Sequence, residues 1–247
     1  MAAGNAAGEP VDLELVLAVD ASGSVDPSEY ELQLRGIADA FRDPAVKQAI
    51  RSGPLARIAV ALVVWADATT PKDDSPWHVI STPETADAFA DLVETYPRRV
   101  EGGTGIGSAL AYAIRMIEFN AIAGTRRVVD VSGDGVETPV REYAVLLPQA
   151  RYMARALGVT INGLAIANEV HDLDRYYDAN VRAGPGSFVM RAADFEAFRD
   201  AIRAKLLREI EAQVAERPPV SPFGRKEPWP GRAGDVAHPT LAEAVAR

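Results

Sequence analysis

Cysteine is absent from this chain of 247 residues. Its absence excludes disulfides, thiolate metal sites and a cysteine nucleophile. Histidine is scarce, and its three copies, His78, His171 and His238, lie in three separate segments. Neither a zinc cluster nor the base of a catalytic triad is therefore indicated, and we interpret each histidine as a surface or structural residue.

Long apolar runs are missing as well. No segment approaches the roughly 18 to 20 apolar residues of a membrane span, so we expect none. The start, "MAAGNAAGEP", has neither the basic nor the apolar region of a signal peptide, although a chain that begins after a removed signal would look the same. A formal net charge of −9 disfavours nonspecific binding to nucleic acid and to anionic membranes, so neither is an expected partner.

Apolar runs of strand length alternate along the chain with segments of helical periodicity. The predicted strands span residues 13–20, 57–66, 77–81, 126–133, 159–166 and 187–192. The predicted helices span residues 26–43, 83–96, 105–119, 140–158 and 194–216, with a bend expected at Pro148. This alternation predicts an α/β fold, a Rossmann-like three-layer α/β/α sandwich around a mostly parallel central sheet.

The composition divides the chain into three parts. We predict a flexible N-terminus over residues 1–10, one α/β domain over 11–216 and a proline-rich extended tail over 217–247. The tail begins "RPPVSPFGRKEPWPGR", which has no apolar period and is typical of an extended segment. A polyproline ligand for a partner is the alternative interpretation of that segment.

Three loops rich in glycine and oxygen-bearing side chains lie at predicted strand–helix junctions. They are "DASGSV" at 20–25, "EGGTGIGSAL" at 101–110 and "SGDGVET" at 132–138. In an open parallel sheet, ligands bind beyond the carboxyl ends of the strands. If the strands 13–20 and 126–133 are neighbours, five side chains converge there: Asp20, Ser22, Ser24, Thr104 and Asp134. Two carboxylates and three hydroxyls form an all-oxygen site that suits a hard cation such as Mg²⁺.

Other interpretations of these motifs are weaker. Taken singly, each is a capped turn or a glycine loop. "GTGIGSA" does not follow the first strand as a dinucleotide-binding loop would, and it lacks the lysine of a phosphate-binding P-loop. "DASGS" lacks the second aspartate of a phosphatase nucleophile loop, and no G-x-S-x-G elbow is present. The three motifs together, in order, favour a metal site, and we predict no catalytic residue.

At these residues the sequence resembles the von Willebrand factor type A domain. The metal-ion-dependent adhesion site (MIDAS) of that domain has the pattern D-x-S-x-S, a Thr in a Gly-rich loop and an Asp before Gly, and all five positions are present here in order. The resemblance covers roughly residues 11–216. The chain is more similar still to an uncharacterised bacterial family of type A-like proteins, mostly exported. Asparagines often follow the "SGDG" turn in that family, whereas Val136, Glu137 and Thr138 stand here.

The resemblance implies a role for each of the five residues. Ser22 and Ser24 would coordinate the metal directly, Thr104 directly or through water, and Asp20 and Asp134 largely through water. One coordination position would stay open for a carboxylate from a protein or other acidic ligand. We therefore expect a metal-dependent binding or adhesion module, not an enzyme.

Several alternatives stay open at this point. Mn²⁺ or Ca²⁺ could replace Mg²⁺ in such a site. A metal-dependent phosphate-ester hydrolase, or a structural subunit whose fold the metal braces, are the rival functions. We expect a monomer, and the family resemblance indicates a periplasmic or secreted protein, although a cytoplasmic location also fits a start without a signal peptide.

Asp130 is unusual because it lies inside a predicted buried strand, where an unpaired carboxylate is costly. We predict a structural pairing with an arginine or a backbone amide. A role beside the metal ligands is the alternative.

Overall fold

A computed structural model describes residues 8–138 and 143–215 of the chain. Within them, seven strands form one sheet. The strands are β1 (Glu9–Asp20), β2 (Ile58–Trp65), β3 (Asp73–Asp74), β4 (His78–Ile80), β5 (Ile122–Gly133), β6 (Thr160–Ile166) and β7 (Val189–Ala192). The expected N-terminus over 1–10 lies mostly outside the described residues, and the expected tail over 217–247 lies wholly outside them.

The sheet is mostly parallel, as the alternation of strands and helices predicts. Its order is β3-β2-β1-β5-β6-β7, and β4 pairs with β2. All pairings between β1, β2, β5, β6 and β7 are parallel, whereas β3 and β4 run antiparallel to β2. β1 and β5 are direct neighbours, with Val19 opposite Ser132, so the two strands end side by side.

Seven helices are described: α1 (Pro27–Arg42), α2 (Pro44–Arg51), α3 (Pro83–Glu94), α4 (Ile106–Glu118), α5 (Leu147–Leu157), α6 (Leu173–Asn180) and α7 (Phe195–Ala215). They cover both faces of the sheet. Alternate residues of β1 show this directly, since Leu15 and Leu17 pack in the core with α1, α2, α3 and α7, whereas Val16 and Ala18 pack in the core with α4, α5 and α6. The predicted three-layer α/β/α sandwich is confirmed.

The helix predicted over 140–158 is wrong at residues 143–146 and right from Leu147 onward. α5 begins only at Leu147, and Pro148 lies in its first turn instead of bending its middle. Proline is well tolerated there because the first N–H groups of a helix have no partner within it. Residues 143–146 are not helical, and 139–142 lie outside the described residues. The sequence reading also missed α2 and α6, both of only eight residues.

Asp130 meets a charged partner in the interior, so the expected structural pairing is found, although with a lysine. Lys205 of α7 contacts Asp130 Oδ1, and its Nζ lies 2.8 Å from Glu209 Oε1. The side chains of Lys205 and Glu209 are fully buried. Asn162 of β6 donates to Glu209 Oε1 at 2.7 Å. We call Asp130, Lys205 and Glu209 the interior charge cluster.

None of the helices in the described part of the chain is long and apolar enough to cross a membrane.

Candidate metal site

The three glycine-rich loops meet at the carboxyl edge of the sheet. The first follows β1 directly, the second precedes α4, and the third follows β5. This arrangement arises because β1 and β5 are parallel neighbours, so both strands end at the same edge of the sheet. The five residues predicted from the sequence are therefore brought to one place.

The loop after β1 is folded around its own aspartate. Asp20 Oδ1 accepts a hydrogen bond from Ser22 N at 2.7 Å, and the hydroxyls of Ser22 and Ser24 lie 3.2 Å apart. Arg98 donates to the carbonyls of Ala21 and Ser22 at 3.0 and 3.1 Å, which holds the backbone of the turn. Asp20 and Ser22 are fully buried, whereas Ser24 is exposed. The two hydroxyls thus extend from the buried edge toward solvent.

Asp134 joins the first loop to the third. Ser24 Oγ donates to Asp134 Oδ1 at 2.7 Å, across 110 positions of sequence. Asp134 is buried, with 2% of its surface exposed. Two of the predicted residues from distant segments are therefore in direct contact.

Thr104 belongs to the same cluster because its loop packs closely on the end of β2. Gly105 N donates to Ala66 O at 3.0 Å, and a Cβ at Gly105 would lie 2.4 Å from Ala68 N, so only glycine fits. The Oγ1 of Thr104 lies 3.4 Å, and the Oγ of Ser24 4.0 Å, from the place that a Cβ of Gly135 would take. Thr104 is thus placed beside the first and third loops.

Residues after the "SGDG" turn brace the Thr104 loop. Thr138 donates to Thr104 O from both its backbone N, at 2.9 Å, and its Oγ1, at 3.1 Å. Glu137 Oε2 accepts from Gly107 N at 2.9 Å, at the N-terminal end of α4, where a carboxylate is favourable. Glu137 and Thr138 thus hold the loop that carries Thr104 in place.

Both carboxylates of the site are buried without a positive charge beside them in the described residues. Burial raises the pKa of Asp20 to about 7, against the lowering effect of the hydrogen bonds from Ser22. Burial also raises the pKa of Asp134, and Glu169 adds to the shift. Among the described residues neither carboxylate forms an ion pair with a lysine or arginine. The site therefore carries buried acidic groups without a cation of its own.

One oxygen of Asp20 and one tyrosine hydroxyl stand out as lacking partners. Asp20 Oδ2 and Tyr177 Oη are buried and accept or donate no hydrogen bond within the described part of the chain. Both lie within 2.7 Å of the position that a Cβ on Gly133 would occupy. The glycine thus leaves room between them, and buried polar atoms of this kind are normally satisfied by water or an ion.

The sequence reading missed three residues of this neighbourhood: Gln33, Arg98 and Tyr177. Gln33 of α1 donates to Asp20 O at 3.1 Å and its Oε1 accepts from Ser132 at 3.3 Å. A glutamine on the apolar face of α1 is a signal that could have found it. Tyr177 lies in α6, where no element was predicted, so nothing in its pattern pointed to the site.

This donor set fits a hard divalent cation. It offers two carboxylates and three hydroxyls, one carboxylate oxygen is orphaned, and oxygen ligands are what Mg²⁺ and Ca²⁺ take in proteins. No group of three or more His, Asp or Glu side chains that could hold a metal ion occurs in residues 8–138 and 143–215, this site included, so the hydroxyls would have to complete the donor set.

Comparison with solved structures shows the type A-like fold. The pilus adhesin SpaC from Lactobacillus rhamnosus GG, in an open conformation, has a TM-score of 0.59 at 15% identity, over 82% of this chain and 30% of that chain. Proximal thread matrix protein 1 from the mussel byssus, solved with a zinc-occupied MIDAS motif, has a TM-score of 0.56 at 16% identity, over 84% and 49%. A von Willebrand factor type A protein from Catenulispora acidiphila gives 0.55 at 16%, over 81% and 43%.

The chain spans less than half the length of each of these structures. A comparison with curated proteins finds no match. A family model described as "Protein of unknown function (DUF1194)" matches residues 10–214, and the chain belongs to that family.

Proposed function

We propose that this protein is a divalent-metal-dependent binding module that recognises a protein or other acidic ligand through a carboxylate. The metal would be held by Asp20, Ser22, Ser24, Thr104 and Asp134. When bound, it supplies an electrophilic coordination position that the carboxylate of a partner can fill. The protein itself performs no reaction on that partner.

The observation that carries this proposal is the absence of an internal cation beside buried carboxylates. Asp20 is fully buried and Asp134 nearly so, yet neither has a basic partner in the described residues. Burying unpaired charge is costly, and a bound cation removes that cost. The hydroxyls of Ser22 and Ser24 lie 3.2 Å apart, and Ser24, which is exposed, also donates to Asp134, so both hydroxyls are close enough to the carboxylates to share a metal with them.

Mg²⁺ is the proposed metal, with Mn²⁺ and Ca²⁺ as alternatives. Magnesium prefers few protein carboxylates and several waters, which suits two acidic side chains acting largely through water. The mussel protein with a zinc-occupied MIDAS motif supports a divalent ion in this fold. Competition between Mg²⁺, Mn²⁺, Ca²⁺ and Zn²⁺ in one titration would rank them.

The proposed setting is outside the cytoplasm, as a periplasmic or secreted protein acting as a monomer. The pilus adhesin among the similar structures supports a surface or secreted role. No nucleic acid partner is proposed, because the formal net charge is −9.

The first test is isothermal titration of Mg²⁺ and of Mn²⁺ into chelator-treated protein. Saturable one-to-one binding is expected, and Ser22→Ala/Ser24→Ala should abolish it. The matched control is Ser28→Ala/Ser52→Ala, which removes two exposed hydroxyls that bond only within their own turns. Absence of binding in the unmodified protein, or its survival in Ser22→Ala/Ser24→Ala, would sink the proposed site.

The second test concerns the partner. A displayed peptide library should yield peptides rich in Asp or Glu in Mg²⁺ and none in chelator, and Asp134→Ala should fold but capture none. If Asp134→Ala fails to fold even in Mg²⁺, the metal braces the structure and the adhesion role is wrong. Metal-dependent turnover of p-nitrophenyl phosphate would replace the binding module with a hydrolase.

A further inference from the structure

A second pocket lies at the amino end of β6, at the edge of the sheet opposite the metal site. It occupies about 510 Å³, within the range of about 300–1,000 Å³ that is usual for small-molecule sites. Residues from the end of α5, from α6 and from the segment before β7 line it. Val159 and Ala183, both buried, give it an apolar wall.

Three arginines converge on this pocket in a protein that is acidic as a whole. Arg151, Arg155 and Arg182 line it together with a single carboxylate, that of Asp178. Burial lowers the pKa of Arg151, and the charges of Arg155 and Arg182 lower it further, so the three cations repel one another. Such a concentration of like charge is unfavourable unless something negative offsets it.

Two of the three guanidinium groups, those of Arg151 and Arg155, keep donors without a partner among the described residues. Arg182 is held by Asp178 through its Nε and, at 3.3 Å, through its NH2 group. Arg151 donates from one NH1 group to Ala179 O at 2.8 Å, but its Nε is buried without a partner in the described residues. The side chain of Arg155 makes no hydrogen bond or ion pair with any residue that the structure describes, although it lines the pocket.

Groups of the protein itself neutralise only part of the positive charge of the three arginines. The carboxyl ends of α5 and α6 both lie at the pocket, and each contributes about half a negative charge. Those ends and Asp178 together offset about two of the three positive charges, so about one remains. The remaining charge and the orphaned donor of Arg151 point toward an anion.

We infer that this pocket binds a small molecule that carries a phosphate or sulfate monoester. The arginines would bind the tetrahedral oxoanion of that ester. The planar donor forks of Arg151 and Arg155 suit the oxygens of such a group. The wall formed by Val159 and Ala183 accommodates an apolar body beyond the anion. The site is separate from the proposed metal site and does not depend on a metal.

The test is titration of phenyl phosphate and phenyl sulfate into the full chain in the presence of chelator at constant ionic strength. Saturable binding in the millimolar range or tighter is expected, with a shift of the Arg151 Nε–H signal in ¹⁵N NMR spectra. Arg155→Gln should weaken binding about tenfold or more, because it removes a charge-assisted hydrogen bond. Arg155 holds no other described residue, so this variant keeps the fold.

The matched control is Arg175→Gln, which removes an exposed arginine of α6 that pairs with Asp172 and does not line the pocket. Its affinity for phenyl phosphate should equal that of the unmodified protein. Tighter binding of one ester over the other assigns phosphate or sulfate. No saturable binding of either ester, or equal weakening by Arg155→Gln and Arg175→Gln, would overturn the inference, since the effect would then be one of net charge.

Discussion

The protein buries carboxylates in two regions and treats them differently. In the interior charge cluster, Asp130 and Glu209 share the ammonium group of Lys205. At the carboxyl edge of the sheet, Asp20 and Asp134 have hydroxyl and backbone donors but no cation in the described residues. Burial raises the pKa of Asp20 and of Asp130 alike, to about 7. The difference is therefore in the compensating charge.

The difference between the two regions supports the proposal that a cation from outside binds at the edge site. A buried charge is retained only if something opposite neutralises it or a proton does. The interior charge cluster contains its own cation, on α7, so it needs no ion from outside and its role is to stabilise the fold. The edge site opens toward solvent through the exposed Ser24, so the proposed metal ion can reach it.

The largest expected effect is that of Lys205→Met. The substitution keeps an apolar side chain of similar length but leaves two buried carboxylates without a cation, so the free energy of unfolding should fall by about 3–5 kcal/mol. Urea denaturation in Mg²⁺ measures it. The control is Lys47→Met, whose ion pair with Asp87 is partly exposed and should cost less than about 1 kcal/mol. Equal losses in the two variants would contradict the role given to Lys205.

The second effect is the gain in stability from the metal. At Mg²⁺ concentrations about a hundredfold above Kd, the free energy of unfolding should rise by about 2.7 kcal/mol, because only the folded state offers the site. Ser22→Ala/Ser24→Ala should lose this gain, and Ser28→Ala/Ser52→Ala should keep it. Denaturation with and without chelator measures the difference. A gain that survives in Ser22→Ala/Ser24→Ala would mean that Mg²⁺ binds elsewhere.

Much of the fold could be predicted because buried parallel strands leave a strong pattern. The runs that became β1, β2 and β6 are apolar along nearly their whole length, and their order with the helices fixes a parallel sheet. Short elements could not be found this way, since α2 and α6 have only eight residues each. The prediction of one helix over 140–158 was wrong at its start because it rested on apolar spacing. Pro148 marks the first turn of the helix instead.

The convergence of the five site residues could be predicted because they flank strand ends, and the adjacency of β1 and β5 brings the loops together. Partners supplied by distant elements could not. Lys205 and Glu209 occupy the face of α7 that carries Ile202 and Leu206, so their spacing does indicate burial, but sequence alone does not pair them with Asp130. For the five site residues the structure shows that they lie close together. Their assignment as metal ligands stays a prediction.

The third effect is a dependence of stability on pH. Burial, followed by the charge of Glu209, raises the pKa of Asp130 in the folded state, while Lys205 opposes the shift. Because the folded state then binds the proton more tightly, stability is greatest below the unfolded pKa of about 4 and falls as pH rises toward the folded pKa. The slope should not exceed about 1.4 kcal/mol per pH unit for one proton.

Urea denaturation between pH 4.5 and 7.5, in excess Mg²⁺, measures this slope. Arg126, which donates to Glu209 O, keeps its charge over the whole range and adds no slope. Asp130→Asn removes the titrating group and should make the slope shallower. Identical slopes for Asp130→Asn and the unmodified protein would show that the interior charge cluster does not titrate.

The smallest effect tests whether Tyr177 supports the metal site. Its buried hydroxyl lacks a described partner and faces Asp20 Oδ2 across Gly133, so a water between them would orient the carboxylate. Tyr177→Phe should leave metal-free stability unchanged or slightly higher, because an unpaired polar group is removed, but should reduce the gain from Mg²⁺ by about 0.5–1 kcal/mol. Tyr112→Phe, which loses a hydroxyl bonded to Asp74 at the surface, should not change that gain. If Tyr177→Phe instead lowers stability equally with and without Mg²⁺, the hydroxyl stabilises the core and not the metal site. The Oδ2 atom of Asp20 is then not oriented by Tyr177.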